Sequence, residues 1–164
     1  LTYAFRQRDY DTREQLGLDF FSLPETALKF SQHEAELTVS HNWGVEQHWG
    51  SRLRLGYELN KDNGPGFFDY DKYRLAKRLS YVRETWEASL EGKLLRYDYA
   101  HQPALIEGGG ERERTEYMLS VRVQKNLMKN HLLFFECEHE WSRSNIVLDE
   151  YQVNTLMSGV DWEF

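Results

Sequence analysis

The sequence predicts an all-β fold: one antiparallel, up-and-down β-barrel domain over residues 1–164. Three observations predict it. Apolar and polar residues alternate with period two from end to end, while helical periodicity is nearly absent. Several alternating stretches exceed the length of about 5 or 6 residues usual in globular strands. The connections between them are short and long by turns.

Taken in order, Leu1–Arg8 opens with the alternating run Leu1-Thr2-Tyr3-Ala4-Phe5. It is either an extra strand or, with the residues to Gln15, an N-terminal extension. Leu16–Phe21 and Glu34–His41 are weaker strand candidates. Ser51–Asn60 is clear, with Leu53, Leu55, Tyr57 and Leu59 on one face and Arg52, Arg54, Glu58 and Asn60 on the other. Tyr70–Val82 puts Tyr73, Leu75, Leu79 and Tyr81 on an apolar face but also Lys77. Either a bulge shifts the parity there, or Lys77 meets a partner protein or a second copy. In Trp86–Tyr99 the adjacent Leu94 and Leu95 separate apolar residues of opposite parity, which predicts a bulge. Glu116–Val123 aligns Tyr117, Leu119, Val121 and Val123. Leu132–Trp141 sets Leu133, Phe135, Cys137, His139 and Trp141 against Phe134, Glu136, Glu138 and Glu140. The last strand sets Leu156, Ser158, Val160, Trp162 and Phe164 against Thr155, Met157, Gly159, Asp161 and Glu163. The count is roughly nine strands.

Short connections are expected near Asn42–His48, at Arg83-Glu84-Thr85 and over Asn126–Asn130. Longer ones are expected over Ser22–Gln32, Asn60–Asp69, His101–Glu113 and Ser142–Glu150, two of them carrying turn chemistry in Asn63-Gly64-Pro65-Gly66 and Gly108-Gly109-Gly110. Short turns at one end and long loops at the other are the asymmetry of outer-membrane barrels.

Alternation also suits a soluble barrel whose apolar face points inward. Two features favour a membrane instead. Strands of about 9–11 residues match the thickness of a bilayer. The aromatics, 15% of the chain, gather at the strand ends. Trp43, Trp49, Tyr81 and Trp86 flank the short turns with Trp162 and Phe164, while Tyr73, Tyr97, Tyr99, Tyr117, Trp141 and Tyr151 stand on the loop side. Two belts of amphipathic rings are expected where headgroups meet hydrocarbon.

The C-terminal run Met157-Ser158-Gly159-Val160-Asp161-Trp162-Glu163-Phe164 resembles the β-signal of bacterial outer-membrane β-barrel proteins. In that family the chain ends in an aromatic, with another aromatic two residues earlier and a glycine five before the end. Phe164, Trp162 and Gly159 fit those places, whereas Met157 stands where the family usually has a polar residue. The resemblance implies insertion by the barrel-assembly machinery and a place in the outer membrane of a Gram-negative-type bacterium. It implies termini on the periplasmic side and an even strand number. The count of nine therefore leaves two arrangements: eight strands from Leu16 onward, or the C-terminal part of a larger barrel.

If the apolar faces meet lipid, the opposite faces line an interior. They carry Glu34, Glu36, Arg52, Arg54, Glu58, Arg74, Arg78, Glu87, Glu91, Lys93, Arg122, Glu136, Glu138, Glu140, Asp161 and Glu163. Such charge density requires water or pairing across strands. The order of the strands predicts Glu34 and Glu36 beside Arg52 and Arg54, and Arg74 and Arg78 facing Glu87 and Glu91. Two functions follow: a porin-like or polysaccharide-export-like pore passing solute or polymer, or a sealed, salt-bridged barrel acting as a structural subunit of a surface complex. A third is a soluble barrel binding an apolar ligand.

Other classes find little support. The net charge of -7 opposes nucleic-acid binding, which needs a basic surface. Cys137 is alone and decides no compartment. The run Glu136-Cys137-Glu138-His139-Glu140 splits between two faces, so no metal site is expected, and no cofactor fingerprint or hydrolase motif occurs. The chain is not expected to be an enzyme, although a hydrolase could assemble its residues from separate strands. The loop Gly64-Pro65-Gly66-Phe67-Phe68-Asp69-Tyr70 either folds its rings back to the headgroup belt or stacks on a sugar or partner protein.

Overall fold

The computed structural model describes residues 1–104, 110–128 and 131–162. Its strands are β1 (Thr2–Asp9), β2 (Gln15–Leu16), β3 (Ser22–Leu23), β4 (Lys29–Trp43), β5 (Trp49–Asp62), β6 (Tyr70–Arg83), β7 (Trp86–Pro103), β8 (Glu111–Met128), β9 (His131–Ser144) and β10 (Tyr151–Trp162). Eight form one antiparallel sheet in the order β1-β4-β5-β6-β7-β8-β9-β10, and β2 pairs with β3 in a small hairpin of its own.

The first two elements differ from expectation. Leu1–Arg8 does contribute a sheet strand, since Thr2–Asp9 pairs with Lys29–Glu36. Leu16–Phe21 does not. Only Gln15 and Leu16 pair, with Leu23 and Ser22, because a tight turn interrupts the run: Gly17 N–H donates to Phe21 O, Phe20 N–H returns to Gly17 O, and Phe20 has φ 69°. Nine candidates thus become eight, and β1 and β10 run in opposite directions along the sheet.

Neither expected bulge forms. The β6–β7 ladder is continuous from Tyr70↔Tyr99 to Arg83↔Trp86, and β7–β8 shifts only between Asp98 and Pro103, beyond Leu94 and Leu95. Leu95 faces the polar side opposite Arg74 and Glu116, whose long stems accept an aliphatic neighbour. Lys77 keeps its parity too. It is exposed on the apolar face between Leu53 and Gly92, and its ammonium donates to the Ser51 hydroxyl. The connection β6–β7 needs only Glu84-Thr85, with Glu84 at φ 51°. The turn over Asn126–Asn130 and the Gly108-Gly109-Gly110 loop fall partly outside the described residues.

Burial is inverted relative to a soluble protein. One face carries Leu37, Leu55, Leu75, Leu79, Leu90, Leu119, Val121, Leu133, Phe135, Leu156 and Val160, all exposed; Leu119 is 46% and Leu156 69% accessible. The other face shelters charge: the Glu91 side chain is 14% accessible and that of Glu58 8%. Among the described residues only Leu28, Phe67, Ala76 and Ala104 are buried apolar groups. The chain exposes 11304 Å², about a third more than the roughly 8,600 Å² expected of a soluble monomer of its 19.6 kDa mass.

Candidate functional site

Strand alternation gathers the charged residues onto one face, and the register decides their partners. Glu34 stands opposite Glu58 and Glu36 opposite Gly56, while Arg52 and Arg54 meet Ser40 and Thr38. The expected row of Glu34 and Glu36 beside Arg52 and Arg54 therefore does not form. The two glutamates reach across β5 to Arg74, whose Nη1 lies 3.3 Å from Glu34 and 3.4 Å from Glu36. Gly56, between them and Arg74, opens the path, for a Cβ there would sit 3.3 Å from the Arg74 Cβ.

The second expected pairing holds in part. Arg78 is opposite Glu91 in register but bonds Glu87 at 3.4 Å; Glu91 takes Arg54, two strands away, at 2.7 Å. Arg74 meets neither Glu87 nor Glu91. Further along, Arg122 pairs with Glu136 at 3.0 Å and Lys93 with Glu91 at 3.4 Å. Glu58 accepts bonds from Gln32 and Tyr70 and lies 3.7 Å from Lys72. Glu138 lies opposite Ser120 and Thr155, and Glu140 accepts the Tyr151 hydroxyl. Arg52 is exposed and opposite Arg78. Cys137 and His139 lie on the face opposite the three glutamates, and His139 bonds Asn154 at 2.6 Å.

The aromatic rows form with three corrections. At the short-turn end Trp43 stacks on Trp49 and Trp49 meets Tyr81 at a tilt on the apolar face, with ring centroids 6.2 and 4.8 Å apart, and Trp86 continues the row. At the loop end Tyr57 pairs with Tyr73 and Tyr117 stacks on Trp141 at 5.0 Å. Tyr97, Tyr99 and Tyr151, expected in this row, lie on the polar face instead. They share register rows with Lys72, Tyr70 and Ser142, because parity, not height, fixes the face. Trp162 and Gly159 occupy opposite faces of β10, with the Phe134 ring so close over Gly159 that a Cβ would meet it at 3.0 Å. Phe164 and Glu163 lie outside the described residues.

Above the loop-end row the polar face opens into a cavity of about 500 Å³ lined by Phe20, Phe30, Phe67, Phe68, Tyr70, Tyr99, Arg112, Leu148 and Asp149 among others. Its wall is braced by Arg112, which forms a two-point bond to Asp149 (2.8 and 2.7 Å), donates to Gln102 at 2.7 Å, and lies 4.6 Å over the Tyr99 ring. Gln102 in turn donates to Phe67 O at 2.8 Å. The loop before β6 is organised by Asp62, whose carboxylate accepts the N–H groups of Gly64, Gly66 and Phe68 at 2.8, 3.1 and 2.9 Å. Nearby, the hydrogen bond from Lys61 to Asp69 raises the lysine pKa above its ordinary value. The rings of Phe67 and Phe68 thus turn into this cavity rather than toward the apolar face. Arg112, Asp149, Gln102 and Asp62 had no sequence signal: Arg112 lies at the start of β8 and Asp149 in the β9–β10 connection, 37 residues away.

Comparison of the chain with protein-family models, curated proteins and solved structures finds no match.

Proposed function

We propose that this chain forms the wall of a β-barrel in the outer membrane of a Gram-negative-type bacterium, its apolar face against lipid and its charged face inside. The observation that carries this reading is the inverted sheet, with exposed leucines and sheltered glutamates. In water a contiguous apolar face of this extent is costly and rare; against acyl chains it is the stable arrangement. The aromatic rows at both ends support it, and Gly159, Trp162 and Phe164 support recognition by the barrel-assembly machinery.

Inside the wall, the geometry favours a sealed interior over an open pore. Arg54–Glu91, Arg74 with Glu34 and Glu36, and Arg122–Glu136 tie strands along the polar face. The loop end is roofed by aromatic residues around Arg112 and Asp149. Such a barrel anchors its braced loop end at the cell surface, as a subunit of a surface complex. A pore for solute or polymer is the second reading. It draws on one observation: Arg52 and Arg78 line an opening of about 230 Å³ near the short-turn end. Reconstitution in planar bilayers separates the two, with the sealed barrel giving no current steps and stable channels establishing the pore. Recovery of the protein from the soluble fraction without detergent would overturn both.

A further inference from the structure

The sheet ends in two free edges. Among the described residues β1 is bonded only to β4, and β10 only to β9. Both edges expose rows of backbone N–H and C=O groups that acyl chains cannot satisfy, so within a bilayer each must find a strand. Resting on the membrane reading above, we propose that the two edges pair with each other, Thr2 opposite Asp161, closing eight strands into one barrel.

The register supplies the first support. Following hydrogen-bonded partners from Thr2 leads through Glu36, Gly56, Arg74, Leu95, Glu116 and Ser142 to Tyr151. Thr2 begins β1 opposite Glu36, midway along β4, and Tyr151 begins β10 at the loop end. Joining Thr2 to Asp161, at the short-turn end of β10, advances the ladder by ten residues from Tyr151 (161 minus 151). With strands about 4.8 Å apart and a rise of about 3.3 Å per residue, ten residues over eight strands tilt the strands by about 41°. That is central in the barrel range of about 35–45°; staggers of about eight and twelve give roughly 35° and 46°. An odd stagger would turn the apolar face of one edge onto the polar face of the other.

The side chains fit the same register. It sets Ala4 against Gly159, where the Phe134 ring leaves no room for bulk. It sets Phe5 against Ser158 and Tyr3 against Val160, all four exposed on the apolar face. Tyr3 then falls diagonally beside Trp162. The directions also agree, since β1 and β10 run oppositely.

Curvature supplies the independent support. Phe20 belongs to the connection that follows β1, and Ile146, Leu148 and Asp149 to the one that precedes β10, yet all line the same loop-end cavity of about 500 Å³. The two ends of the sheet therefore already bend toward one another at the mouth.

Disulfide trapping in the full-length protein tests the seam. In a Cys137→Ser background, Phe5→Cys is combined in turn with Ser158→Cys, Leu156→Cys and Val160→Cys, matching staggers of ten, eight and twelve. Folding into the membrane is checked separately in every variant and in the Cys137→Ser parent, by resistance to extraction and by the different gel mobility of boiled and unboiled samples. The expected result is an intramolecular disulfide for 5/158 formed at least about tenfold faster than for 5/156 or 5/160, and likewise for Tyr3→Cys with Val160→Cys. Membrane-folded protein that cross-links at another stagger, only between chains, or not at all overturns the seam while leaving the membrane wall intact. A parent absent from the membrane fraction overturns the wall itself.

Discussion

Asp62 shows how one side chain can set a loop. Both its oxygens are used, one by Gly64 and Gly66 and the other by Phe68, while Gly66 itself sits at φ 91° with its missing Cβ 2.6 Å from the His101 ring. Hydrogen bonds to a charged group contribute more than neutral ones, and three of them hold the turn that aims Phe67 and Phe68 into the mouth. Asp62→Ala is expected to cost about 1–3 kcal/mol. It also opens residues 63–69 to proteolysis on intact cells, with Asp62→Asn intermediate because an amide keeps one acceptor. Loop cleavage no faster than in the parent would show that the carboxylate does not organise the segment. The sequence marked this stretch as a turn through its Gly-Pro-Gly punctuation, but an aspartate two to six residues before the N–H groups that donate to it is indistinguishable on paper from any other loop acid.

At the scale of strands, which face a residue takes was readable and which partner it meets was not. Alternation alone put Leu53, Leu55, Leu119 and Val121 on one side and Arg54, Glu91, Arg122 and Glu136 on the other, as the ladders have them. Partnership depends on register, which the turns fix, so Arg74 does not meet Glu87 or Glu91. Tyr97, Tyr99 and Tyr151 leave the expected belt for another reason, since height along the strand groups them with it while parity turns them to the polar face. Lys77 is the position where face and chemistry conflict. It stands midway between Tyr73 and Tyr81, with one hydrogen bond to Ser51 on the neighbouring strand. A cation at the bilayer midplane costs about 2–4 kcal/mol, so Lys77→Leu is expected to stabilise the protein in lipid vesicles by up to about that amount, measured by reversible denaturant unfolding. A Lys77→Leu variant of unchanged or lower stability would place the ammonium in water or against another protein chain instead.

For the whole molecule, the argument turns on where the five tryptophans sit. Trp43, Trp49, Trp86 and Trp162 lie at the short-turn end and Trp141 at the loop end; none occupies the middle of the apolar face. The span from Tyr73 to Tyr81 is eight residues, roughly 20 Å of height at a tilt near 40°, slightly less than the apolar band of about 25 Å. Both rows should therefore rest just inside the headgroups. That height could be anticipated from the sequence, because strand length and the spacing of rings are local properties; the outward apolar face was expected from the same two features, since alternation alone suits either face inward. In vesicles carrying a bromine or nitroxide quencher at a defined acyl depth, tryptophan emission is expected to fall most with the quencher near the carbonyls and least with it at the chain ends. The Trp141→Phe variant should behave the same way, since the other ring level lies at an equivalent depth in the opposite leaflet. Equal quenching at every depth, or none, would mean that the rings do not mark two interfaces, and the inverted sheet would then need an apolar covering other than lipid.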